Sequence, residues 1–203
     1  MRFSLIAGSA LAASALAGSA NVAASETSGG KSMIIGGVTS QPIGHYEFCQ
    51  RNLVECSIRL SSSPAPELSA QGWAAIEEVN RSVNKRIAPR TDKQIFGQEE
   101  VWAYPTTEGD CEDYALLKRR ELARRGFSLS DLLITVVRKP DGEGHAILTV
   151  RTAQGDFVLD NLEADVRAWN ETSYLYVKRQ SSSDTGRWVS IESGKDVPVG
   201  SVR

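Results

Sequence analysis

Gly126 divides this sequence into two kinds of pattern, and their order constrains the fold more than any other feature. Upstream, Trp73, Ile76, Val83 and Ile87 recur at spacings of three, seven and four, which is the spacing of one helix face. That periodicity predicts a helix over residues 67–86, entered from the loop 61–66 and ended before Pro89. A second helix is delimited by Asp110 as N-cap, Asp113 three residues later in capping-box spacing, and Gly126 as the stop. Ala115, Leu116, Leu122 and Ala123 form its apolar side, which Arg119 interrupts. Downstream, residues 132–138, 145–151, 156–160, 174–178 and 188–191 read as strands, with turns at Asp141-Gly142 and Gln154-Gly155. Helices first and strands later predict an α+β domain on a largely antiparallel meander, with no internal repeat and no domain boundary.

The amino-terminal segment belongs to a different category. Arg2 precedes an almost uninterrupted small and apolar run over residues 5–20, and no further charge occurs before Glu26. A basic start, a short apolar stretch and Val22-Ala23-Ala24 as a small-residue cleavage pattern predict a secretory signal peptide over 1–24. The Ala/Gly/Ser-rich composition argues against a retained anchor. Beyond it, the longest apolar run is residues 132–137, broken by Thr135, far short of the ~20 residues that cross a bilayer. The expected product is exported and not inserted in a membrane. Glycine pairs at 29–30 and 36–37 suggest a flexible leader over 25–41, with the folded domain over 42–195.

Charge narrows the function class. With 23 Lys+Arg against 25 Asp+Glu the chain has no basic footprint for nucleic acid. Its 41% hydrophobic and 24% charged content is that of a globular protein, not of a disordered chain or a disulfide-dense scaffold.

The three cysteines fit an oxidising compartment. Cys49 and Cys56 lie seven residues apart in a polar segment, while Cys111 stands alone. The close pair reads as a disulfide and the third as a free thiol, other pairings remaining open. Cys111 is also the first residue of the second helix, where the backbone dipole favours a thiolate. Asp110, Glu112 and Asp113 oppose that effect, so a cation must offset them. His145 opens one strand and Asp160 ends the next, so a hairpin brings both near each other. Cys111, His145 and Asp160 thus make a feasible nucleophile, base and orienting acid. The competing reading is a buried hydrophobic cysteine and an ordinary strand histidine. The other histidine, His45, lies before the cysteine pair, at the end of the flexible stretch, a poor place for a rigid base. No HExxH, CxxC pair or phosphate-cradling glycine motif occurs.

Gly109-Asp110-Cys111-Glu112-Asp113-Tyr114-Ala115, then Gly144-His145-Ala146, then Val158-Leu159-Asp160-Asn161-Leu162 resemble the bacterial transglutaminase-like cysteine proteinase family. Trp102, Pro105, Arg179-Gln180-Ser181 and Trp188-Val189 fit as well, and the similarity covers roughly residues 42–192. The resemblance implies a papain/transglutaminase-like fold, with Cys111 as nucleophile, His145 as general base and later acid, and Asp160 orienting His145. It further implies a periplasmic, calcium-dependent protease that releases surface adhesins and so controls biofilm attachment. Asp110 and Glu112 match the acids that bind calcium in such relatives, and an inner-membrane receptor regulates them. The alternatives are transglutaminase-type acyl transfer to an amine, and a catalytically silent binding or regulatory module. The segment 105–109 is short, which sets this chain apart from the adhesin proteases.

Overall fold

The computed structural model describes Met1, residues 31–61 and residues 63–192; the expected signal peptide lies outside the described residues. In chain order the elements are β1 (Ile34–Thr39), α1 (Ile43–Arg51), α2 (Leu53–Cys56), α3 (Ala70–Arg86), β2 (Ala88–Pro89), α4 (Asp92–Phe96), β3 (Glu108–Gly109), α5 (Cys111–Arg124), β4 (Leu132–Arg138), β5 (Gly144–Thr152), β6 (Gly155–Leu159), β7 (Arg167–Ala168), β8 (Leu175–Ser181) and β9 (Asp184–Glu192). Apart from β1 and the two-residue β2 and β3, helices precede strands, as the periodicity predicts, and the fold is α+β.

The sheet has seven strands in the order β1-β9-β8-β4-β5-β6-β7, with every pair antiparallel. It is not one continuous meander. The chain zigzags outward from β4 to β7, then crosses back so that β8 pairs with the free side of β4. β4 therefore lies at the centre, with both faces covered, and its apolar sequence, interrupted only by Thr135 before the closing Arg138, suits that place. Leu132 and Ile134 face the helices, while Val137 joins Met33, Ile147, Val158, Tyr176 and Ile191 on the other side. The turn before β5 needs Gly142 at φ 91°.

α3 and α5 cover one sheet face. Ile76, Val79 and Val83 of α3 and Leu116 and Leu122 of α5 pack on Leu132, Ile134, Leu148, Val150 and Leu159. α3 starts at Ala70 rather than at 67, because Ser69 is the N-cap and its hydroxyl accepts from the Gly72 amide at 3.2 Å.

The leader expected over 25–41 is corrected for its described part. Ile34–Thr39 form edge strand β1, with Ile35 opposite Ile191 and Val38 opposite Val189. Gly36 suggests flexibility in the sequence, but it sits at a bulge where an added Cβ would lie 2.4 Å from Ser190 Oγ. Close approach, not mobility, requires that glycine. Cys49 and Cys56 are bonded to each other and tie α1 to α2, leaving Cys111 as the free thiol.

Candidate active site

Cys111 is the first residue of α5, with Asp110 in the N-cap position. The predicted capping box does not form. Asp110 makes no side-chain cap bond; its Oδ2 accepts from the Asp92 amide at 3.2 Å instead. Asp113, which is buried, accepts the Ala103 amide on Oδ1 at 2.8 Å. Gly109 makes room for this, since a Cβ there would lie 2.7 Å from Asp113 Oδ2.

The half-buried Cys111 thiol donates to Glu112 Oε2 at 3.1 Å. Burial raises its pKa well above the ordinary thiol value, and Glu112 and Asp110 raise it further. A hydrogen bond from the Ala146 backbone pulls the other way, and it locates the sulfur beside the first residues of β5.

His145 is the second residue of β5, opposite Val137 of β4. The β5–β6 register, Leu148 opposite Leu159, carries Asp160 to the level of Ile147, a diagonal neighbour of His145. His145 Nε2 and Asp160 Oδ1 are 2.9 Å apart, and both residues are buried. Asp160 Oδ1 also accepts the Leu162 amide at 3.0 Å, and Oδ2 accepts the Tyr174 hydroxyl at 2.6 Å. Burial disfavours the carboxylate, but these hydrogen bonds prevail and hold its pKa below the ordinary range. Cys111 and His145 line one cleft of about 260 Å³, together with Trp102, Glu112, Ala146 and Lys178.

The acids beside Cys111 form one trio of converging oxygens, with Glu112 at its side. Oxygens of Asp92, Asp110 and Asp113 lie within 4.8 Å of one another. Glu112, expected to share a cation with Asp110, lies outside that trio; it accepts from the thiol and its carboxyl also hydrogen-bonds that of Asp110. Burial and the charge of its neighbours push Asp92 up to about 6 and Asp113 up to about 8. Burial and Asp110 push Glu112 up to about 9. Asp92 is 2% exposed, yet its Oδ1 has no hydrogen-bond partner, and neither has Asp110 Oδ1. Converging carboxylate oxygens with unpartnered lone pairs suit a hard divalent cation such as Ca²⁺.

Two residues of the site carry no local signal of it in the sequence. Asp92 follows Thr91, whose side chain and Gln94 form the capping box of the short helix α4, so in sequence it passes for a first-turn acid. Tyr174 in sequence passes for the start of a strand. His45 needs correction. It is not in a mobile leader but buried in α1, between Trp102 and Trp188 at ring distances of 5.3 and 5.4 Å. Its Nδ1 accepts the Trp188 indole N–H at 3.2 Å. Burial lowers its pKa to about 3, so it is a neutral packing residue outside the cleft lining.

Residues 35–196 match the family described as bacterial transglutaminase-like cysteine proteinase BTLCP. The chain belongs to that family. The match takes in all three candidate catalytic residues and begins inside β1, consistent with a strand rather than a leader there. Among curated proteins none matches. Solved structures of Legionella pneumophila LapG resemble it. The EGTA-treated form has a TM-score of 0.49 at 25% identity, with 57% of this chain and 66% of that one covered. The calcium-bound form has a TM-score of 0.49 at 24% identity, with 62% and 74% covered. The family's papain/transglutaminase-like α+β architecture is the one described above. Among the described residues, no helix is long and apolar enough to cross a membrane.

Proposed function

We propose that this protein is an exported cysteine endopeptidase in which Cys111, His145 and Asp160 act as nucleophile, general base and orienting acid. The observation that supports this best is the buried His145–Asp160 hydrogen bond at the wall of the cleft that also holds the Cys111 thiol. With Nε2 committed to Asp160, the other ring nitrogen of His145 is left to take the Cys111 proton. The thiolate adds to a peptide carbonyl, and the Cys111 backbone N–H at the helix start is a natural donor to the resulting oxyanion. The imidazolium then protonates the leaving amine as the C–N bond breaks. Water, deprotonated by His145, hydrolyses the thioester and regenerates the thiol.

Asp92, Asp110 and Asp113 would hold calcium. The bound ion would supply positive charge that offsets the acids beside the nucleophile. Glu112 then acts on the thiol itself, as a hydrogen-bond acceptor within the cleft. The resemblance to the family carries the rest of the reading: export to the periplasm, a surface adhesin as protein substrate, and control by an inner-membrane receptor.

Incubating periplasmic and outer-membrane extracts with wild type and Cys111→Ala tests the activity. Fragments produced by the wild type alone are the expected result. Incorporation of a labelled amine into a glutamine-containing protein, without cleavage, would instead show transamidation. No covalent turnover by either route would leave a binding module.

A further inference from the structure

Three polar side chains lie behind the candidate site, where the surrounding core is apolar. Lys118 is fully buried, and so is Asn80. Lys118 Nζ donates to Asn80 Oδ1 at 2.8 Å. Asn80 Nδ2 donates to the backbone oxygens of Glu163 at 3.0 Å and Ala164 at 3.1 Å. One turn further along α3, Asn84 Nδ2 donates to the backbone oxygen of Asp160 at 2.8 Å and to that of Glu163 at 3.0 Å. The Asn84 oxygen is buried without a partner, so this side chain hydrogen-bonds through its amide donor, to these carbonyls.

The elements joined in this way are informative. Lys118 lies seven residues after Cys111, two turns along the same helix. Asn80 and Asn84 lie on α3, and the carbonyls belong to the loop that begins with Asp160. A buried lysine and asparagine are costly among apolar side chains unless hydrogen bonds compensate them, and such bonds fix a geometry. Here the bonds run from the nucleophile's helix, through Asn80 of α3, to the carbonyls of Glu163 and Ala164, and from Asn84 of the same helix to those of Asp160 and Glu163. Loop 160–164 follows β6 and, unlike a strand, has no ladder to hold it.

We propose that Asn80, Asn84 and Lys118 form a polar brace that positions Asp160, and through it His145, relative to the helix bearing Cys111. The proposal rests on the triad reading above. The three are positioning residues: their hydrogen bonds reach Asp160 only through the backbone of its loop. Asn84 holds the Asp160 carbonyl directly. Asn80, backed by Lys118, holds the next turn of the loop. Together they fix the direction in which the Asp160 carboxylate leaves the backbone.

The full-length protein carrying Asn84→Asp tests this, because aspartate keeps the shape and replaces the donor with an acceptor facing two carbonyls. Two quantities are read in calcium-containing buffer: the alkylation rate of Cys111 by iodoacetamide at pH 7, and the ¹⁵N signals of the His145 ring. Thermal melting checks the fold. Asn84→Asp is expected to slow alkylation about fivefold or more while shifting the Nε2 signal, since the base loses its orientation. Lys118→Met, of similar length and apolar, is expected to do the same more weakly, and it decides the matter if Asn84→Asp does not fold. Wild-type rate and ring signals in the folded variants overturn the brace. So does a slower rate with unchanged His145 signals, which is a merely structural effect. Asp160→Asn in the same series separates the two ideas. If Asp160→Asn reacts like wild type, the triad reading itself fails. If it is slow while the brace variants behave as wild type, only the brace fails.

Discussion

Tyr174 donates its hydroxyl to Asp160 Oδ2 at 2.6 Å, on the oxygen that His145 does not use. The Tyr174 ring also lies 5.7 Å from the His145 ring. One residue just before β8 thus holds the orienting carboxylate and flanks the imidazole. Burial, and then the bond to Asp160, push the tyrosine pKa up, so the phenol stays a donor across the working pH range.

Tyr174→Phe should therefore impair the site without dismantling it. A hydrogen bond to a charged group contributes about 1.5–3 kcal/mol, which corresponds to a rate loss of roughly tenfold or more if it is felt fully in the transition state. Turnover is expected to fall with KM nearly unchanged, and the Asp160 pKa to rise because a donor to its charged form is lost. Wild-type turnover in a folded Tyr174→Phe protein would remove Tyr174 from the site.

Calcium binding should depend on a residue distant in sequence from the nucleophile. Asp92→Asn removes one charge from the Asp92, Asp110 and Asp113 group and is expected to weaken Ca²⁺ binding about tenfold or more by calorimetry, as Asp110→Asn does. Glu112→Gln is expected to weaken it less, because Glu112 lies outside that trio of oxygens and touches it only through Asp110. Affinity lost in Glu112→Gln but kept in Asp92→Asn would reverse this division.

The elements that follow local rules were legible in the sequence. β4 is bounded by its apolar run, and α5 by Asp110 and the Gly126 stop, and both lie where periodicity puts them. The His145–Asp160 neighbourhood followed from a short hairpin and the period of two. What stayed hidden depends on non-local contact. Nothing near Asp92 in sequence indicates that its α4 turn meets the start of α5. Gly36-Gly37 carries no local mark to distinguish a bulged edge strand from a linker, because the deciding neighbour, Ser190, is about 150 residues away. Local chemistry also misled at Asp113, where a capping-box spacing is overridden by the Ala103 amide and the space above Gly109.

The Cys49–Cys56 bond closes a short loop between α1 and α2. Chain-entropy reasoning for a loop of this size gives about 2–3 kcal/mol of stabilisation from the cross-link. Cys56→Ser, or a dithiol reductant, is expected to lower the melting temperature by several degrees. Cys111 would then be joined by one or two further reactive thiols in a quantitative thiol titration. Unchanged melting in the reduced protein would mean that α1 is held by its buried Phe48 and His45 contacts alone.

His45 supplies the clearest dependence of stability on pH. Its folded pKa of about 3 lies below the ordinary 6.5 because burial excludes the charged ring, with Arg119 adding repulsion. Above pH 6.5 the ring is neutral in both states, and its contribution is fully present. Below 6.5 the unfolded chain gains a proton that the folded protein refuses, so stability falls as pH drops toward 3. The slope from this one group is about 1.4 kcal/mol per pH unit. Denaturant unfolding of wild type and His45→Gln between pH 7 and 4 measures it directly. The variant is expected to be less stable at pH 7, where the packing between Trp102 and Trp188 is lost, and to lose less further stability as the pH falls. Parallel curves for the two proteins would mean that His45 accepts a proton without leaving its place between the tryptophans.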